Sequence, residues 1–191
     1  MSKTVFIVPG FRHKPSTKGY GWMKDHFSSQ GFIVKTVAID WDRKVMSDYV
    51  EQFLMYFHEN KSEENHVIGF SFGAMIALIS ADDLNPDGLI LCSLSPYFSE
   101  DLCTLKKSWQ SFMGQKRILD FANFKSNIIT KQIHCKTTVI YGTAEAVMYP
   151  QLEVRCKEVA AQVKGCQLKI ADGAPHQIDY PSYIETIKSV A

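Results

Sequence analysis

The sequence holds no apolar run near the ~18 residues of a membrane-spanning helix, and no two cysteines carry the spacing of a zinc ribbon or a thioredoxin motif. It also lacks internal repeats, low-complexity tracts and anything resembling an interdomain linker. Charge of one sign is not in excess: Lys+Arg 21 against Asp+Glu 20 leaves +1, which gives no whole-molecule field to gather nucleic acid or anionic lipid. A nucleic-acid partner and a membrane span are therefore not expected. The first apolar run, residues 5–8, stops at Pro9-Gly10 and is too short for the core of a secretory leader. Cys92, Cys103, Cys135, Cys156 and Cys166 form an odd set and read as reduced thiols, so a cytoplasmic protein is expected. With 46% hydrophobic and 21% charged residues, the 191-residue chain is globular in composition. One domain over residues 1–191 is expected, large enough to bury roughly 70% of its unfolded surface.

Short apolar runs rich in β-branched residues recur at 4–8, 33–39, 66–70, 88–93, 137–141 and 167–171. Helical patterns separate most of them, the signature of βα units and a parallel sheet. Their near-continuous apolar character suits strands covered on both faces. Between the second and third runs Val45, Tyr49, Phe53 and Phe57 recur every four residues, with Met46, Val50 and Leu54 beside them, which predicts a helix packed on the sheet. Residues 60–65 read as a polar turn. About forty residues, 96–136, part the fourth run from the fifth, far more than an ordinary loop. Leu102, Leu105, Trp109 and Phe112 keep helical spacing there, and Ile118, Phe121 and Ala122 begin a second pattern, so a helical, lid-like insertion is expected over a pocket.

The pentapeptide Gly69-Phe70-Ser71-Phe72-Gly73 follows an apolar run and precedes the helical stretch 74–79. A serine on a sharp strand-to-helix turn is crowded from both sides, and glycines two before and two after it relieve that crowding. The turn exposes the Ser71 hydroxyl at a helix start, where backbone N–H groups face incoming negative charge. A serine hydroxyl is a weak nucleophile and needs a base, held in turn by a third group. Among six histidines His176 is the expected base, because Asp172-Gly173-Ala174-Pro175-His176-Gln177 forms a loop just after the last strand, at the same sheet edge as Ser71. His13, after the first strand, could line the site instead, whereas His26, His58, His66 and His134 read as exposed or structural. Glu145, directly after the strand 137–141, is the expected orienting acid; Asp172 and Asp40 compete. The N–H groups of Phe72 and Phe11 are the candidate donors to a developing oxyanion. Phe11, Phe70, Phe72, Tyr97, Phe98, Trp109, Phe112, Met148 and Tyr149 fall in segments expected around the pocket, with Phe70 more a floor under the turn than a substrate contact. An apolar acyl group follows. The insertion carries Lys106, Lys107, Lys116, Arg117, Lys125, Lys131 and Lys136 against Glu100, Asp101 and Asp120, which is either a solvated face or a site for an anionic carrier such as coenzyme A.

With Ser71, Glu145 and His176 in that chain order, the sequence resembles the α/β-hydrolase superfamily over almost its whole length. The resemblance implies an α/β, three-layer, doubly wound sheet of about six parallel strands in the order 2-1-3-4-5-6, with helices on both faces. It implies an oxyanion loop at Pro9-Gly10-Phe11, here without the histidine often found in that loop, and an acid at residues 142–145, here glutamate in place of aspartate. Two N-terminal strands usual in the superfamily are missing. The implied activity is that of a serine hydrolase, cleaving an ester or thioester of a small-molecule acyl substrate through an acyl-enzyme, with no metal or cofactor. Tyr97, Trp109, Met148 and His13 are expected to line its pocket. The rival expectations are a thioesterase or acyltransferase on carrier-bound acyl groups, and a binding protein that keeps the fold without catalysis.

Overall fold

A computed structural model describes residues 2–190. Six strands, β1 (Lys3–Val8), β2 (Ile33–Thr36), β3 (Glu64–Phe70), β4 (Gly88–Cys92), β5 (Lys136–Gly142) and β6 (Gln167–Ala171), form one sheet in the order β2-β1-β3-β4-β5-β6. Every pairing is parallel, as the sequence predicts. Among the described residues nine α-helices alternate with or follow the strands: α1 (Gly21–Ser29), α2 (Met46–Asn60), α3 (Phe72–Leu84), α4 (Lys107–Met113), α5 (Gln115–Phe121), α6 (Ser126–Ile129), α7 (Thr143–Met148), α8 (Pro150–Gln162) and α9 (Pro181–Lys188).

Alternate residues of a strand point to opposite faces, and β1 shows the result. Phe6 and Val8 join a cluster with Tyr49, Phe53 and Phe57 of α2 and with Met75 and Leu78 of α3. Val5 and Ile7 join the other, with Met23 and Phe27 of α1 and Tyr183 and Ile187 of α9. Two cores therefore sandwich the sheet, and the β-branched runs are apolar on both faces because both are buried. The expectation fails at the edges. Ile33 of β2 is 50% exposed and Ile170 of β6 is 52% exposed, because an edge strand has a sheet neighbour on one side only.

The strands also start and stop differently from the apolar runs. Glu64 and Asn65, read as turn, pair with Lys3 and Thr4 of β1. Polar side chains hold this end: Asp87 Oδ2 accepts from the Asn65 N–H, and Asn65 Oδ1 accepts from the Ser62 N–H. At β2 the pairing stops at Thr36, although the Val37 N–H still donates to the Ile7 carbonyl at 2.9 Å.

The insertion departs most from its periodicity. Leu102 lies in a short 3-10 turn (Ser99–Thr104), after which Leu105 and Lys106 are extended and α4 begins, so Leu102 and Leu105 do not share a helix with Trp109 and Phe112. A long-range ion pair explains the break. Asp101 Oδ2 accepts from the Phe98 N–H at 3.0 Å, and the same carboxylate takes Arg155 Nε at 3.1 Å and Nη2 at 2.5 Å. Arg155 belongs to α8 and is 3% exposed. Its guanidinium also meets Ser126 of α6 and Glu100, so one buried cation pins two parts of the insertion to α8. The second pattern does form a helix, α5, which ends at Phe121 with Ala122 as its cap. Among the described residues no helix is long and apolar enough to cross a membrane.

Candidate active site

Ser71 sits alone between the last residue of β3 and the first of α3, with φ 58° and ψ −118°. Its N–H donates to the Cys92 carbonyl of β4 at 2.9 Å, which ties the turn to the neighbouring strand. A Cβ on Gly69 would fall 2.4 Å from the Gly73 carbonyl oxygen, and one on Gly73 would fall 2.0 Å from the Val8 carbonyl oxygen. Backbone, which cannot swing aside, blocks both positions. Gly73 also lets the loop after β1 lie against the first turn of α3. Gly73→Ala is accordingly expected to lower stability by about 3–5 kcal/mol, read from urea unfolding followed by tryptophan fluorescence. A cost below about 1 kcal/mol would mean that the β1 loop yields freely.

The loop after β6 and the first turn of α7, after β5, bring the other groups to Ser71. His176 Nε2 lies 3.0 Å from Ser71 Oγ, and His176 Nδ1 lies 2.8 Å from Glu145 Oε2. The histidine loop rests on the start of α7: the Glu145 N–H donates to the Ala174 carbonyl at 3.1 Å, and a Cβ on Gly142 would sit 2.2 Å from that same oxygen. Glu145 is the third residue of α7, a helical setting that its place directly after a strand does not reveal. Its longer side chain turns back over the helix start, where Oε1 accepts from the Gly142 N–H at 2.6 Å. The carboxylate is 0% exposed.

A buried charge needs donors on its remaining lone pairs. Two hydroxyls supply them, and sequence reasoning missed both. Tyr183 of α9 donates to Oε1 at 2.9 Å, and Ser93 donates to Oε2 at 2.8 Å. Burial and the nearby Glu145 charge push the Tyr183 phenol well above its ordinary range, so it stays a donor. Ser93, just past β4, has φ 52°. Two residues on, Ser95 Oγ lies 3.3 Å from Ser71 Oγ, also unforeseen. No local pattern marks these positions; the repeat Ser93-Leu94-Ser95 at a strand end is the one available hint.

The competing acids do not reach the histidine. Asp172 accepts from Thr143 Oγ1 at 3.1 Å, and Asp40 accepts from the Asp42 N–H at 3.1 Å. His13 lines the cavity, but its Nδ1 is 2.8 Å from the Tyr20 hydroxyl and not at Ser71. That hydroxyl accepts from the Gly10 N–H at 2.9 Å, which leaves its proton for His13. Burial first, then the charge on His176, hold His13 below the ordinary imidazole value, and a neutral ring suits the acceptor role. His26 packs in α1 against Trp22 and Phe27, and His66 bonds Glu64 at 2.8 Å. Neither these nor His58 and His134 line the cavity.

The Phe72 N–H opens α3, and the Phe11 N–H lies in the turn after β1; neither has a hydrogen-bond partner among the described residues. Their rings approach to 4.9 Å. Above Ser71 opens a cavity of about 420 Å³ whose lining includes Phe11, His13, Phe72, Tyr97, Trp109 and Met148. Phe70 is 3% exposed, and its ring lies 4.9 Å from that of His176, a floor under the imidazole. Phe98 does not line the cavity; it is fully buried beneath the Arg155 guanidinium.

No protein-family model and no curated protein matches the sequence. Solved structures do match by shape. An inferred hydrolase from Agrobacterium vitis S4 superposes with TM-score 0.81 at 16% identity, covering 98% of this chain and 86% of its own. Est1E from Butyrivibrio proteoclasticus with bound ferulic acid gives 0.78 at 13%, covering 99% and 86%. Mouse alpha/beta hydrolase domain-containing protein 10 gives 0.74 at 11%, covering 97% and 86%. The chain has the α/β-hydrolase fold in a form reduced to six parallel strands.

Proposed function

We propose that the protein is a serine hydrolase that cleaves a carboxylic ester with an apolar acyl group. The carrying observation is the hydrogen-bonded line from Ser71 Oγ through His176 to the buried Glu145, with spacings of 3.0 Å and 2.8 Å, at the base of an apolar cavity. In this reading Ser71 Oγ attacks the carbonyl carbon while its proton passes to His176 Nε2. Glu145 holds the imidazole with Nδ1 protonated and stabilises the imidazolium. The carbonyl oxygen, now negative, takes hydrogen bonds from the Phe72 and Phe11 N–H groups. Collapse breaks the bond to the leaving alcohol, which takes the proton from Nε2 and departs. Water then repeats the sequence on the acyl-enzyme and releases the acid.

Residues 96–136 act as the lid in this proposal, supported by the part Tyr97, Trp109, Phe112 and Met113 take in the cavity wall. A second reading, a thioesterase on carrier-bound acyl groups, draws on Lys106, because it lines the cavity and no carboxylate does. Free cysteines, two of them buried, fit work in a reducing, cytoplasmic setting. The test is covalent labelling with a fluorophosphonate probe. Wild type is expected to label as a control serine hydrolase does, and Ser71→Ala not at all. An unlabelled wild type would leave a binding protein on a hydrolase scaffold. Comparing alkyl esters with acyl-coenzyme A of equal chain length then separates esterase from thioesterase.

A further inference from the structure

Five aromatic rings close a circuit in the cavity wall. Phe11 meets Phe72 at 4.9 Å, Phe72 meets Tyr97 at 5.2 Å, and Tyr97 meets Trp109 at 6.3 Å. Trp109 meets Phe112 at 5.5 Å, and Phe112 returns to Phe11 at 6.3 Å. All five line the cavity that holds Ser71 and His176. Two of them come from beside the proposed oxyanion loop and the Ser71 turn, and three from the segment after β4, so the circuit spans the gap between sheet and insertion. Trp109 is 36% exposed and Phe112 55% exposed, and both are large apolar surfaces that a bound group would cover.

A ring of aromatic faces can take either a cation or another flat apolar group. The surrounding charges decide between them. The Arg12 guanidinium already lies 5.2 Å from the Phe11 ring and 5.9 Å from the Phe112 ring. The Arg117 guanidinium lies 5.4 Å from Phe11 and is fixed there by the Lys44 and Trp41 carbonyls. Lys106 also lines the cavity, and no carboxylate among the described residues does. A substrate cation would compete with resident cations for the same faces and meet their repulsion.

We infer that the five-ring circuit receives an aromatic acyl group, so the substrate class is an ester of an arylalkanoic or related aromatic acid, not of an aliphatic or a quaternary-ammonium one. The inference rests on the serine-hydrolase reading and specifies its acyl group. Stacked and edge-on contacts between rings are worth more than the area they bury, by up to about tenfold in an equilibrium for one good pair. A saturated ring of similar volume keeps the area and loses those contacts.

The test compares methyl phenylacetate with methyl cyclohexylacetate, whose carbonyls are insulated from the ring by one methylene and whose leaving group is methanol in both. Hydrolysis is followed by proton release, and each kcat/KM is divided by the hydroxide-catalysed rate. The aromatic ester is expected to be favoured about tenfold. Trp109→Leu should bring that ratio close to one, and Trp109→Phe should restore most of it. Methyl 4-(trimethylammonio)butanoate should be the poorest of the three. A wild-type ratio at or below one, or a preference for the cationic ester, overturns the inference while fluorophosphonate labelling of Ser71 still upholds the reading beneath it. Should labelling itself fail, binding decides: calorimetry on the Ser71→Ala variant should show phenylacetamide binding more tightly than cyclohexylacetamide, and equal affinities refute the aromatic site.

Discussion

His176→Ala is expected to slow ester hydrolysis by roughly four to six orders of magnitude, with Ser71→Ala as slow and the double variant no slower than either. In the proposed mechanism the nucleophile and its base act as one unit. Without the imidazole, the Ser71 hydroxyl has its proton but no acceptor other than water or Ser95 Oγ at 3.3 Å, and a second hydroxyl is no base at neutral pH. Without the hydroxyl, the imidazole has nothing to activate. What survives in all three variants is the cavity with its two backbone donors, and that remainder sets a common floor. The measurement is kcat/KM in each variant, on protein free of wild-type carry-over. A loss below about 100-fold in His176→Ala would point to another base. His13, the other imidazole in the cavity wall, would then be the first suspect, with Tyr20 as its hydrogen-bond partner.

The parallel direction of the strands was legible because each βα repeat announces itself locally: a β-branched run, a turn, then apolar residues every three or four positions; their order came only from the resemblance that Ser71, Glu145 and His176 carry. Ser71 was legible for a similar reason, since its glycines answer to backbone contacts at 2.0 and 2.4 Å that any such turn must avoid. What the sequence misread depends on distant partners. Leu102 and Leu105 carry helical spacing, yet Arg155, fifty-four positions beyond Asp101, holds the 3-10 turn and the chain then runs extended. A buried guanidinium paired at 2.5 Å outweighs a periodicity whose own worth is a few tenths of a kcal/mol per residue. Ser93 and Tyr183 escaped notice because they are ninety positions apart, and only the fold brings their hydroxyls within 2.6 Å of each other beside the Glu145 carboxylate. Glu145 itself was found as a residue following a strand, but its helical setting was not, and that setting shapes the second of the large expected effects.

Glu145→Gln is expected to lower kcat by roughly 10⁴-fold while the protein stays folded. The amide has one acceptor and one donor where the carboxylate has two acceptors, so everything turns on which way it faces. Oε1 receives the Gly142 N–H at 2.6 Å, and a backbone N–H cannot rotate away or reverse its polarity. An NH₂ placed there would set donor against donor at contact distance, at a cost of the order of a lost buried hydrogen bond, about 1–3 kcal/mol. The glutamine oxygen must therefore face Gly142 and Tyr183, and its NH₂ must face His176. Nδ1 then becomes an acceptor, and the ring proton moves to Nε2, the atom 3.0 Å from Ser71 Oγ. In that tautomer the imidazole donates to the serine and cannot take its proton. Nitrogen NMR of the imidazole should show the proton on Nδ1 in wild type and on Nε2 in the variant, alongside the fall in kcat. Glu145→Asp keeps the charge and should lose less activity, because a shorter carboxylate gives up the Gly142 N–H before it gives up the sign of the His176 bond. If Glu145→Gln kept more than about a tenth of wild-type kcat, the acid would be ornamental and the orientation of His176 would have to come from elsewhere in the loop.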